Sequence, residues 1–145
     1  MGDISKEIQS SFPSNDLKAY INILYTASWI NSAQQKLLKP YNISAQQYNI
    51  LRILRGAKKP LKVQTVKSRM VQRSPNVTRL MDKLFAKDLI DRVSSTTDRR
   101  VVNISITALG LDLLAEIDKK WNPKFLENLN EEEAGQLSDL LDKIR

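Results

Sequence analysis

Four polar side chains, Asn76, Arg79, Lys83 and Lys87, recur at helical spacing along one side of the segment that follows Pro75. That side is short and polar at its beginning and basic further on. Asn and Arg can pair bidentately with adenine and guanine edges in a DNA major groove. Lys meets phosphate, and Thr78 lies near enough to the leading end to assist. Further along, Asp98, Arg99 and Arg100 close a turn-rich segment that starts at Ser94. Two guanidiniums on a loop suit a narrow, strongly negative minor groove, and the neighbouring carboxylate can orient one of them without neutralising both.

These groups need elements to carry them. Ser74 can act as N-cap and Pro75 occupies N1, so the spacing predicts a helix beginning at Pro75. Val77, Leu80, Met81, Leu84 and Phe85 fall at i, i+3, i+4, i+7 and i+8, one apolar stripe facing a core. Asp82, three residues after Arg79, is expected to pair with that arginine rather than touch DNA. The period then changes: Leu89, Ile90 and Val93, then the turn residues, then Val102, Ile104 and Ile106 at period two predict a β-hairpin with Arg99 and Arg100 at its tip.

Upstream, apolar residues from Ile8 to Leu38 predict a long first helix from about Asp16 to Leu38, capped by Ser14 or Asn15 and ended by Pro40. It carries apolar groups on more than one side, a surplus that calls for a partner helix. Ser44 and Gln47 form a capping box that opens a helix through Tyr48, Leu51 and Leu54, closed by the segment Gly56 to Pro60. Leu61 to Met70 predict the next short helix, with Val63, Val66 and Met70 inward. Downstream, Thr107 caps a helix through Leu113 and Trp121 that Pro123 ends or kinks near Asn122, and Asn130 with Glu133 caps a last one through Leu141 and Ile144.

Charge is unevenly spread. Of 23 Lys and Arg, 14 lie between Arg52 and Arg100, against 4 of the 16 Asp and Glu, so the net charge of +7 belongs to the centre of the chain. A basic centre between mildly acidic ends is the footprint of one face meeting polyphosphate. Cysteine and histidine are both absent, which excludes thiol redox sensing, thiolate or imidazole metal sites and Cys/His or Ser/His catalysis. With only 4 glycines there is no glycine-rich phosphate loop, and the carboxylates assemble no catalytic set. No enzyme activity, cofactor or metal is expected. Neither a membrane span nor a secretory signal is present, so a cytoplasmic protein is expected.

The order of three helices with S-P-x-V-T-R-L-x-D-x-L, a hairpin with D-R-R, then T-x-x-G resembles the MarR family of winged helix-turn-helix regulators over nearly the whole chain. Ser74, Pro75, Val77, Thr78, Arg79, Leu80, Asp82 and Leu84 fall on the recognition-helix pattern, Asp98, Arg99 and Arg100 on the wing, and Thr107 and Gly110 on the start of the next helix. One departure bears on the tilt of the recognition helix: the turn before it usually carries a glycine, and Met70-Val71-Gln72-Arg73 has none.

The expected fold is therefore mainly α with a small β-hairpin. It is a single MarR-like domain with a winged helix-turn-helix region over 44–106 and a helical dimerisation region over 5–39 and 107–145. The expected DNA contacts are Ser74, Pro75, Asn76, Thr78, Arg79, Lys83, Asp98, Arg99 and Arg100. The resemblance implies a repressor released by a small ligand. Trp29, Tyr48, Trp121 and Phe125 are the candidate pocket for a small aromatic or anionic effector. A homodimer on an inverted-repeat operator in double-stranded DNA is the leading reading. The rival is a winged helix used for protein contact without DNA, against which Asn76, Arg79, Arg99 and Arg100 argue.

Overall fold

The computed structural model describes residues 2–121 and 126–145. The elements run α1 (Ile4–Glu7), α2 (Asn15–Leu38), a 3-10 turn (Lys39–Tyr41), α3 (Ala45–Ala57), β1 (Leu61–Lys62), α4 (Val63–Arg69), α5 (Val77–Ala86), β2 (Ile90–Ser94), β3 (Val102–Ile106), α6 (Ala108–Lys120) and α7 (Glu131–Ile144). This is the mainly helical chain with a small antiparallel sheet that the periodicities predict. By contacts it divides into a central unit, Gln34–Trp121, and a terminal unit, Met1–Ala33 with Asn122–Arg145.

The central unit is built around side chains from every element it contains. Leu38, Ile50, Leu51, Val66, Leu84, Leu114 and Ile117 have no exposed surface. Each such side chain contributes about 1.5–3 kcal/mol of burial free energy. Because Leu114 and Ile117 lie on α6, that helix packs into the same core as α3, so the contact boundary falls after Trp121 and not at the end of the hairpin.

Three strands pair in the order β1-β3-β2, all antiparallel. The register sets Ile90 opposite Ile106, Arg92 opposite Ile104 and Ser94 opposite Val102, with Leu61 opposite Ile104 on the other edge. Strand β1 replaces the first turn of the helix expected from Leu61, and α4 begins at Val63. Two residues are too few to show a period, which is why the strand has no signature in the sequence.

Capping explains the helix ends. Both bonds of the box before α3 are made: Ser44 Oγ accepts the Gln47 N–H at 3.1 Å, and Gln47 Oε1 accepts the Ser44 N–H at 2.9 Å. At its far end Lys58 takes the left-handed conformation, φ 54°, usually reserved for glycine. In the terminal unit Ser14 Oγ accepts the Leu17 N–H at 3.2 Å, which decides the cap of α2 in favour of Ser14. Asn130 and Glu133 make the same reciprocal pair at the start of α7, both at 2.9 Å.

A second local device joins α5 to the hairpin. Asp88, at φ 57°, terminates the helix, with Asp88 N–H donating to Phe85 O and Leu89 N–H to Leu84 O at 2.9 and 3.1 Å. Those two bonds form a Schellman motif with aspartate in glycine's place. The carbonyls it leaves outward are taken up by α6: Thr107 Oγ1–H donates to Asp88 O at 2.7 Å and Thr107 N–H to Leu89 O at 3.1 Å, while Thr107 Oγ1 caps α6 by accepting the Gly110 N–H at 3.0 Å. Here glycine is required for space. A Cβ on Gly110 would lie 2.4 Å from Leu89 O and 2.7 Å from Ile106 Cγ1.

Candidate nucleic-acid interface

Helix α5 is held by its apolar stripe. Val77, Met81 and Leu84 are buried, Leu80 and Phe85 pack against the core from its edge, and the opposite side is open. The helix starts at Val77 and not at Pro75. Ser74 Oγ accepts the Asn76 N–H at 3.2 Å, folding Pro75 and Asn76 into a turn, and the Leu80 N–H to Asn76 O bond begins the helix. Such a short side-chain to backbone bond competes with helix at this spot. Asn76 is thus the N-cap residue, with a side chain that makes no cap hydrogen bond.

The glycine-free turn needs no glycine. None of the residues from Met70 to Asn76 has positive φ; Met70 is extended at ψ 135°, and the Val71 N–H is satisfied by Asn49 Oδ1 at 2.9 Å. A second link fixes the helix from behind, since Gln47, buried in the box of α3, donates from Nε2 to Leu80 O at 3.3 Å. Sequence reasoning finds Gln47 as a cap and misses this longer reach, which has no local signal.

Pro75, Asn76, Thr78, Arg79 and Lys83 are all exposed and Ser74 is half-buried. The expected pairing of Asp82 with Arg79 is not made. Asp82 Oδ1 instead accepts from Arg92 Nη2 at 3.3 Å, and the Arg92 guanidinium lies 4.4 Å above the Phe85 ring. Arg79 is the freer for it. Both partners of the Asp82–Arg92 pair are more than half exposed, so it is worth at most about 1 kcal/mol. Its consequence is geometric: β2 is tied to the outer side of α5. Lys87 also departs from expectation, being the C-cap residue whose Nζ donates to Asn42 O.

At the hairpin tip, Asp98 shapes the loop and does not pair with a guanidinium. Asp98 Oδ1 accepts the Arg100 backbone N–H at 2.9 Å, Asp98 O accepts from Val101 N–H at 3.1 Å, and Ser95 Oγ accepts from Thr97 N–H at 3.3 Å. Arg99 and Arg100 are exposed, and among the described residues neither lies within 4.0 Å of a carboxylate. The arrangement offers two separate cationic probes: a helix face that starts with amide and guanidinium groups, and a loop ending in two guanidiniums.

The described candidate pocket residues belong to different units. Tyr48 is 2% exposed within the core of the central unit, and among the described residues its buried hydroxyl has no hydrogen-bond partner. Trp121 is half-buried at the end of α6, Trp29 is exposed on α2 in the terminal unit, and Phe125 lies outside the described residues. Among the described residues no helix is long and apolar enough to cross a membrane.

Residues 43–102, from the residue before the capping box to the first residue of β3, match the model of the MarR family. The chain is 30% identical over 121 residues to the HTH-type transcriptional regulator PecS of Dickeya dadantii, covering 79% of this chain and 72% of PecS. The chain belongs to the MarR family. It is a DNA-binding transcriptional regulator of the winged helix-turn-helix kind. Likeness to a relative extends beyond the helix-turn-helix: the HTH-type transcriptional regulator MhqR of Bacillus subtilis is 28% identical over 137 residues, which is 88% of this chain and 90% of MhqR. A MarR mutant from E. coli, crystallised with operator DNA, shares the fold with a TM-score of 0.73 at 22% identity, over 99% of each chain.

Proposed function

We propose that the chain represses transcription as a homodimer that reads an inverted-repeat operator with α5 in the major groove and the β2–β3 loop in the flanking minor groove. The observation that carries this reading is the exposed face of Asn76, Thr78, Arg79 and Lys83 together with Arg99 and Arg100, cations without acidic partners among the described residues. Ser74 and Pro75 shape the entering turn, and Asp98 holds the loop that presents the arginines.

Dimerisation is argued from the terminal unit. Tyr20 and Leu24 on α2 are 58% and 51% exposed, and Leu140 and Ile144 on α7 are 61% and 67% exposed. Apolar surface of that extent on helices calls for a partner helix, and a second copy arranged by a two-fold axis supplies one. Two-fold symmetry then demands an inverted repeat. Its half-site centres are spaced by about 10 bp, one helical turn, so that both copies of α5 meet the same side of the duplex.

A small aromatic or anionic effector releases the operator. The site of action is the cytoplasm, and the protein has no catalytic activity of its own. Sequencing the genomic fragments that the purified protein enriches tests the central reading. An inverted repeat with A·T-rich flanks, two chains per site by light scattering, and affinity that falls steeply with salt are expected. Enrichment without a symmetric motif, or one chain per site, would contradict it.

A further inference from the structure

Beside α5, within the central unit, lies a concavity of about 550 Å³ whose lining shares only Lys83 with the proposed DNA interface. Lys83 and Lys87 border it from α5, one turn apart, and Lys39 borders it from the 3-10 turn. None of the residues lining it is acidic, and among the described residues no carboxylate comes within 4.0 Å of these three ammonium groups. Like charges brought to one hollow repel each other, and the fold accepts that repulsion here with no internal counter-ion.

The hollow is built, not incidental. Lys87 Nζ is anchored to Asn42 O at the corner that precedes α3, where Asn42 holds the left-handed conformation at φ 53°. The floor is buried side chain, Ile43 and Gln47, both fixed by the core or by the capping box. Ser44 lines the same hollow, and its hydroxyl oxygen accepts from the Gln47 N–H, which leaves the hydroxyl free to donate its own proton. The positive end of the α3 dipole adds to the field of the lysines.

We propose that this concavity binds a small organic anion carrying two or more negative charges, by its carboxylate or phosphate oxygens, and that binding weakens the grip on DNA through Lys83. Volume, basic rim and partly apolar floor suit such a ligand, since a pocket of this size takes a molecule of metabolite dimensions. Lys83 is shared: an anion in the hollow competes for the same ammonium that the proposed interface turns to phosphate. By linkage, duplex DNA must then weaken anion binding by the same factor.

The binding arm of the test uses no DNA, so it stands apart from the DNA reading. Citrate and pyrophosphate, titrated into the purified protein at constant ionic strength, are expected to give saturable shifts of the backbone amides of residues 43–47, seen by NMR. The stronger of the two identifies carboxylate or phosphate chemistry. Lys39→Gln is expected to weaken binding about tenfold, the effect of one lost charged hydrogen bond, whereas Lys36→Gln, outside the hollow, leaves it unchanged. Shifts that merely follow ionic strength, or equal losses in both variants, would overturn the site. The second arm measures operator binding with and without saturating anion. A loss of affinity that Lys39→Gln suppresses is expected, and affinity unchanged by saturating anion would overturn the coupling.

Discussion

Arg79→Ala is expected to cost about 1–3 kcal/mol of binding at each half-site and to relax the preference for one base pair, because it removes a guanidinium from the exposed side of α5. Lys83→Ala should behave differently in kind. It removes a charge one turn further on, so affinity for specific and random duplexes should fall alike and the salt slope should flatten by about one unit. The structure strengthens the contrast by pairing Asp82 with Arg92 across to β2, so that no helical acid partly neutralises Arg79. Competition binding on operator and random duplex across a salt series separates the two effects. Equal loss on both duplexes for both variants would mean that another face reads the bases.

Gly110→Ala should destabilise the fold by about 1–3 kcal/mol, although alanine is the better helix former. The added Cβ would meet the Leu89 carbonyl oxygen at 2.4 Å, and that oxygen already accepts the Thr107 N–H. Relief requires α6 to withdraw from the end of α5, which breaks that bond and disturbs Leu114 beneath it. Gly56→Ala provides the opposite sign: nothing lies within 4 Å of its added Cβ, so replacement near the end of α3 should stabilise by up to about 1 kcal/mol. Thermal melts of both variants at one protein concentration check the pair. A Gly110→Ala protein as stable as the parent would show that the α5–α6 junction is not close-packed.

How far the fold could be read in advance depended on how local its causes are. The capping boxes of α3 and α7 join residues three apart, so Ser44 with Gln47 and Asn130 with Glu133 were legible as they stand in the chain. The stripe of α5 was legible because Val77, Met81 and Leu84 follow the helical period. The start of that helix was not: the Ser-Pro pair resembles a cap and N1, but the Ser74 hydroxyl turns to Asn76 and delays the helix to Val77.

Long-range causes were hidden. Nothing near Asp82 announces Arg92, ten residues on, and nothing near Leu61 announces a pairing with Ile104. Asp88 and Lys58 take the conformation for which glycine is the usual sign, so neither helix end carried that mark. That Arg79 and Lys83 lie on the exposed side of α5, and Arg99 and Arg100 on the exposed hairpin loop, was readable from residue type and spacing. The roles of Asp98 as a loop former and of Lys87 as an anchor needed coordinates.

In the proposed complex one copy of the chain touches two neighbouring grooves, α5 the major and the hairpin tip the minor. Hydroxyl-radical footprinting of the parent protein and the Arg99→Ala/Arg100→Ala double variant on the selected operator tests this most directly. The double variant is expected to keep protection at the inner positions covered by α5, to lose it at the outer flanks, and no longer to prefer A·T-rich flanks. An unchanged footprint with unchanged affinity at those flanks would contradict it.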